Sequence, residues 1–91
     1  MKNREKTLII SGWMVSELGL SGNSLLVYAV IYEASQMRER GYTGTLQDLA
    51  DLTGIHSITV CRILKKLVDK RLLIKSEGTH TTSYKVVKVV G

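Results

Sequence analysis

TLQDLADLTGIHSITVCRILKKLVDK, residues 45–70, holds two helix signals with one turn signal between them. Thr45 and Asp48 form a Thr-x-x-Asp capping sequence, in which hydroxyl and carboxylate satisfy the free N–H groups of a helix start. The spacing predicts a short helix over Leu46–Leu52, and Thr53-Gly54 ends it, glycine being suited to the left-handed conformation just past a helix end. Ser57 can cap the next helix, which carries Ile58, Val60, Ile63, Leu64, Leu67 and Val68 and runs to about Lys70. A turn of about four residues joins the two.

Packing gives this pair its geometry. Leu49 and Ala50 lie on the inner face of the first helix, where the small residue lets the second cross closely. Ile55 plugs the space beneath the turn, and Val60 and Ile63 anchor the second helix from below. The pattern is a helix-turn-helix. The opposite face of the second helix must then point out, and it carries Ser57, Thr59, Arg62, Lys65, Lys66 and Asp69. Arg62 can reach a guanine edge through two donors, Lys65 and Lys66 suit phosphates, and the helix start at Ser57 offers N–H groups to an anion.

Upstream, Leu25, Leu26, Tyr28, Ala29, Ile31 and Tyr32 recur at helical spacing behind Ser21 or Asn23 as cap, predicting a helix from about Asn23 to Arg38. Leu25, Tyr28, Ala29 and Tyr32 make one stripe and Leu26, Val30 and Ala34 widen it. A helix apolar around most of its circumference belongs at the centre of the domain. Before it, Leu8–Ile10 read as an edge strand, and Trp13, Met14 and Leu18 as a helical turn or two. Downstream, Leu72–Lys75 and Tyr84–Val90 are rich in β-branched and aromatic residues around a polar stretch with Gly78, the pattern of an antiparallel hairpin.

The chain of 91 residues has room for one compact domain and excludes a two-domain enzyme. A chain of this size buries only roughly 60 to 65% of its unfolded surface, so its core leaves little space for an enclosed substrate cavity. With 44% apolar and 23% charged residues it is composed to fold. Charge is unevenly placed: residues 54–91 carry eight basic and two acidic side chains, net +6, whereas residues 1–53 are net −1. Such asymmetry reads as a surface for a polyanion, nucleic acid or an anionic membrane, the plain alternative being a modest excess that serves solubility alone.

The runs LQDLADLTGIHSITVCRILKKLVDKRLLIKSEG (46–78) and YKVVKV (84–89) together resemble a winged helix-turn-helix DNA-binding domain, in which recognition helix and hairpin wing follow each other directly. The runs GWMVSELGLSGNSLLVYAVIYEASQ (12–36) and TGTLQDLADLTG (43–54) resemble the N-terminal winged-helix domains of phage and plasmid replication-initiation proteins and replisome organisers. The family's Lys-Gly-Leu-Ile exit from the recognition helix stands here as Asp69-Lys70-Arg71-Leu72-Leu73, without the glycine.

The resemblance implies an α+β, mainly helical winged helix over residues 1–91, with the helix-turn-helix at about 45–70 and a C-terminal β-hairpin wing at about 72–90. It implies double-stranded DNA as partner, bound at a replication origin or an operator. By position in the wing, Lys75, Thr79, His80 and Lys85 become candidates for contact with the backbone or minor groove, while in the recognition helix Thr59 and Arg62 would reach base edges and Ser57, Lys65 and Lys66 would hold phosphates. So small a module covers few base pairs, so a homodimer or further domains of a longer parent protein are expected.

The competing class is a protein-interaction module with the same fold and no DNA binding. A catalytic role finds no Ser/His/Asp set in order and no phosphate-binding glycine loop. Metal or other cofactors are not expected, since His56, His80 and Cys61 include no Cys-x-x-Cys or His-x-x-x-His pair. Trp13, Tyr28 and Tyr32 sit at core spacing rather than as a stacking platform for single strands, while Tyr42 and Tyr84 are open to either reading. A single cysteine, no signal-peptide order and no apolar run near the ~20 residues of a membrane span predict a cytoplasmic protein without membrane contact.

Overall fold

The computed structural model describes residues 8–78 and 82–87. Among them, four helices precede a two-stranded hairpin: α1 (Gly12–Ser16), α2 (Gly22–Met37), α3 (Leu46–Thr53), α4 (Ser57–Asp69), β1 (Leu73–Glu77) and β2 (Thr82–Val86). The protein is α+β and mainly helical. None of the described helices is long and apolar enough to cross a membrane.

The apolar girth of α2 decides the arrangement. Five consecutive residues, Val27 to Ile31, are buried, so every side of that segment meets another element. The helix touches α3, α4 and β2. Against it pack Met14 and Leu20 from one end, Leu49, Ala50 and Ile55 from α3 and its turn, Val60, Ile63, Leu64 and Leu67 from α4, and Leu73 from β1. Among the described residues no polar or charged side chain other than tyrosine enters this core. Trp13 meets Tyr32 and Tyr28 edge-on at 5.2 and 6.2 Å between ring centres, which places the aromatic set in packing, as its spacing predicts.

Local chemistry sets the boundaries. The α3 cap forms as read: Asp48 N–H donates to Thr45 Oγ1 at 3.0 Å, and Thr45 N–H donates to Asp48 Oδ2 at 3.1 Å. Gly54, at φ 75°, closes α3 one residue later than expected, and the turn is the three residues Gly54, Ile55 and His56. The cap of α4 is His56 rather than Ser57, because Ile58 N–H donates to His56 Nδ1 at 3.2 Å. Ser57 is thereby the first residue inside the helix. Ser21 is the N-cap of α2 by backbone geometry, without a side-chain hydrogen bond.

The exit of α4 shows what replaces the glycine. Leu72 N–H donates to Leu67 O and Arg71 N–H to Val68 O, both at 2.9 Å, the paired bonds of a Schellman close. Arg71 occupies its left-handed position at φ 65°. An L-residue there pays about 1–2 kcal/mol, part of which glycine returns through a freer unfolded chain. Arg71→Gly is therefore expected to stabilise the domain by about 1 kcal/mol, raising the melting midpoint by roughly 4–8 °C. A lowered midpoint in a thermal melt would contradict this.

The sheet differs from expectation at its edge. Leu8–Ile10 form no strand; Ile9 and Ile10 are exposed. The free edge of β2 is taken instead by Tyr42, whose N–H donates to Tyr84 O at 2.7 Å and whose carbonyl accepts from Tyr84 N–H at 2.9 Å. Further along that edge Val86 N–H donates to Ser35 Oγ at 3.1 Å, and the same hydroxyl donates to Ile31 O, tying the hairpin to α2. Both places beside β2 are thus filled from the α2–α3 segment, leaving none for the N-terminal run. The hairpin strands are Leu73–Glu77 and Thr82–Val86, so Leu72 lies outside β1.

Burial changes two tyrosines. The Tyr28 phenol is raised from 10.0 to about 12, chiefly by burial and then by Tyr32, and its hydroxyl has no hydrogen-bond partner among the described residues. Tyr42 is likewise raised to about 12 by burial and then by Asp48, while its hydroxyl donates to Thr45 O at 3.2 Å. The folded state keeps both protons where the unfolded chain releases them, so stability is full below about pH 10 and falls between about pH 10 and 12. Tyrosinate absorbance should show Tyr28 and Tyr42 ionising above pH 10, toward 12. All four tyrosines titrating near pH 10 in a folded chain would refute the assignment.

Candidate nucleic-acid interface

Helix α4 has two faces of opposite character. Val60, Ile63, Leu64 and Leu67 are buried, while Ile58, Cys61, Arg62, Lys65, Lys66 and Asp69 are exposed. Around the helix Arg62 lies between Lys65 and Lys66, at about 100° of rotation per residue. Ser57 and Thr59 are half-buried on the flanks of the outward face rather than at its centre. Among the described residues the salt bridge is Lys75–Glu77 at 3.3 Å, and Arg62, Lys65 and Lys66 have no carboxylate partner. Three cations held apart on one rigid helix, whose one acid, Asp69, makes no salt bridge among the described residues, make a surface that attracts anions and can donate to them.

The centre of the outward face is Ile58, 59% exposed. The sequence pattern counts Ile58 among the apolar residues of this helix without giving it a face, and the structure puts it outside. It stands two residues, about 200° of rotation, from Val60, so both cannot face the core. Helical phase carried that signal; hydrophobicity alone hid it.

The hairpin divides the wing candidates. Directly opposed residues share a face, and Leu73 opposite Val86 marks the face toward the core, Leu73 being buried. By alternation Lys75, opposite Tyr84, lies on that same face, and Lys85, opposite Ile74, lies on the other. Lys75 therefore borders α4, whereas Lys85 does not share its surface. The Lys75 ammonium is raised from its ordinary value, first by its hydrogen bond to Glu77 and then by Tyr84. Thr79 and His80 lie outside the described residues.

Between hairpin, α3 start and α4 runs an open groove of about 320 Å³, lined by Tyr42, Leu46, Leu49, Cys61, Lys75 and Tyr84 among others. Cys61 is a free, exposed thiol at its edge. Among the described residues no cluster of three or more metal-ligating side chains occurs. No protein-family model, curated protein or solved structure matches the chain.

Proposed function

We propose that the protein binds double-stranded DNA by laying α4 in the major groove, in the manner of a winged helix whose wing is the β1–β2 hairpin. The observation that carries this is the exposed trio Arg62, Lys65 and Lys66, without a salt bridge among the described residues, on the face of α4 opposite its buried stripe. Arg62 reads a base edge, Lys65 and Lys66 hold phosphates on either side, and Ser57 and Lys75 add contacts at the helix start and the hairpin. The half-buried Thr59 supports Arg62 from the flank. Lys85 would meet DNA only by a contact separate from that of Lys75.

The order of two helices about a three-residue turn, followed by a hairpin whose central strand also pairs with Tyr42, supports the winged-helix reading. The sequence resemblance to replication-initiation domains and replisome organisers carries the biological setting: origin recognition in phage or plasmid replication, or operator control of transcription, in the cytoplasm. The domain acts by binding, with no cofactor, and a homodimer or a longer parent protein supplies the remaining affinity.

The test is fluorescence anisotropy of a labelled mixed-sequence duplex at about 50 and about 200 mM salt. Phosphate contact releases counterions, so affinity should fall steeply with salt. A second reading, a protein-docking face on α4, draws on the exposure of Ile58. It predicts no duplex binding even at the lower salt.

A further inference from the structure

We propose that Ile58 reads the 5-methyl group of a thymine in the major groove, one or two base-pair steps from the base contacted by Arg62. The inference rests on the reading of α4 as the DNA-contacting helix and names what that helix recognises.

Ile58 stands in the first turn of α4, 59% exposed, at the middle of the outward face. Cys61 and Arg62, three and four residues on, are its surface neighbours, and both are exposed. An apolar side chain held in water costs free energy that covering it returns.

Charge selects what covers it. The one carboxylate of α4, Asp69, is its last residue, eleven positions from Ile58, and the exposed charges nearer to Ile58 are Arg62, Lys65 and Lys66. The covering surface therefore combines an apolar group with surrounding negative charge and with acceptors suited to a guanidinium. In the major groove thymine alone among the four bases presents a methyl group, beside phosphates and beside the acceptors of guanine. Neighbours at i and i+4 stand about 5–6 Å apart, and base pairs stack at about 3.4 Å, which sets the one- to two-step separation.

The experiment recovers preferred sites from a randomised duplex library at about 50 mM salt, then remakes the recovered duplex with uracil in place of each thymine in turn. That exchange removes a methyl group and leaves every hydrogen-bonding atom. One position is expected to lose about three- to tenfold in affinity, the scale of one buried methyl in a fitted contact. Ile58→Ala is expected to bind the thymine and uracil duplexes alike while keeping the salt dependence of the parent and, the site being exposed, its melting temperature.

Equal binding of every uracil duplex by the parent protein overturns the inference, as does discrimination that survives in Ile58→Ala. In both cases salt-dependent binding persists, so the duplex-binding reading stands. Absence of salt-dependent binding to any duplex removes that reading and this inference with it, and assigns Ile58 to a protein partner.

Discussion

Replacing Gly41 by alanine is expected to lower the melting midpoint by roughly 12–24 °C, although the residue lies in neither a helix nor the hairpin. Gly41 has φ 82°, and a Cβ there would collide with the Tyr84 carbonyl oxygen and stand 3.0 Å from Lys85 Cα. Both obstacles are backbone, so no side chain can swing away. Relief requires β2 to move off Tyr42, breaking the two hydrogen bonds of that bridge. The left-handed conformation costs about 1–2 kcal/mol for an L-residue and each lost hydrogen bond about 1, a total near 3 kcal/mol. At roughly 4–8 °C per kcal/mol for a domain of this size, that gives the stated range. Gly12→Ala is the control, since a Cβ at that helical position meets nothing within 4 Å. A Gly41→Ala melt within about 2 °C of the parent would show that the edge of β2 is not held by the Tyr42 bridge.

The double substitution Lys65→Ala, Lys66→Ala is expected to weaken duplex binding about a hundredfold at about 50 mM salt and to reduce the slope of log affinity against log salt by about 2. Each lysine neutralises one phosphate and releases about one counterion. Arg62→Ala should act differently. It removes a base-edge contact, costs about 1–3 kcal/mol on the preferred site, and weakens non-specific binding less. All three side chains are exposed and free of carboxylate partners among the described residues, so the variants should melt within about 0.5 kcal/mol of the parent. An unchanged salt slope in the double variant would move the phosphate contacts off α4. Equal losses of specific and non-specific binding from Arg62→Ala would remove its base-reading role.

The sequence by itself determined the elements whose physics is local. The Thr45–Asp48 cap, the glycine stop at Gly54, the circumference of α2 and the strand character on either side of Gly78 each follow from residues a few positions apart, and each is present in the structure. The cationic face of α4 was equally legible, because Arg62, Lys65 and Lys66 fall opposite Val60, Ile63, Leu64 and Leu67 at helical spacing.

Other features depend on partners far away in the chain or on competition between near-equal choices. Ser57 and His56 can both cap α4, and the path of the turn after Gly54 chose the imidazole. Arg71 accepts a glycine's conformation because the two bonds of the Schellman close and the packing of Leu72 hold it there. Leu8–Ile10 have strand composition, but the edge of β2 was taken by Tyr42 and Ser35, which are 42 and 51 residues from their hydrogen-bonding partners Tyr84 and Val86. Strand pairing between distant segments has no local signature, since any extended run with free N–H and C=O groups can fill an edge. The same holds for Lys75 and Lys85, whose lysine chemistry is identical and whose register alone puts one beside α4 and the other on the opposite face.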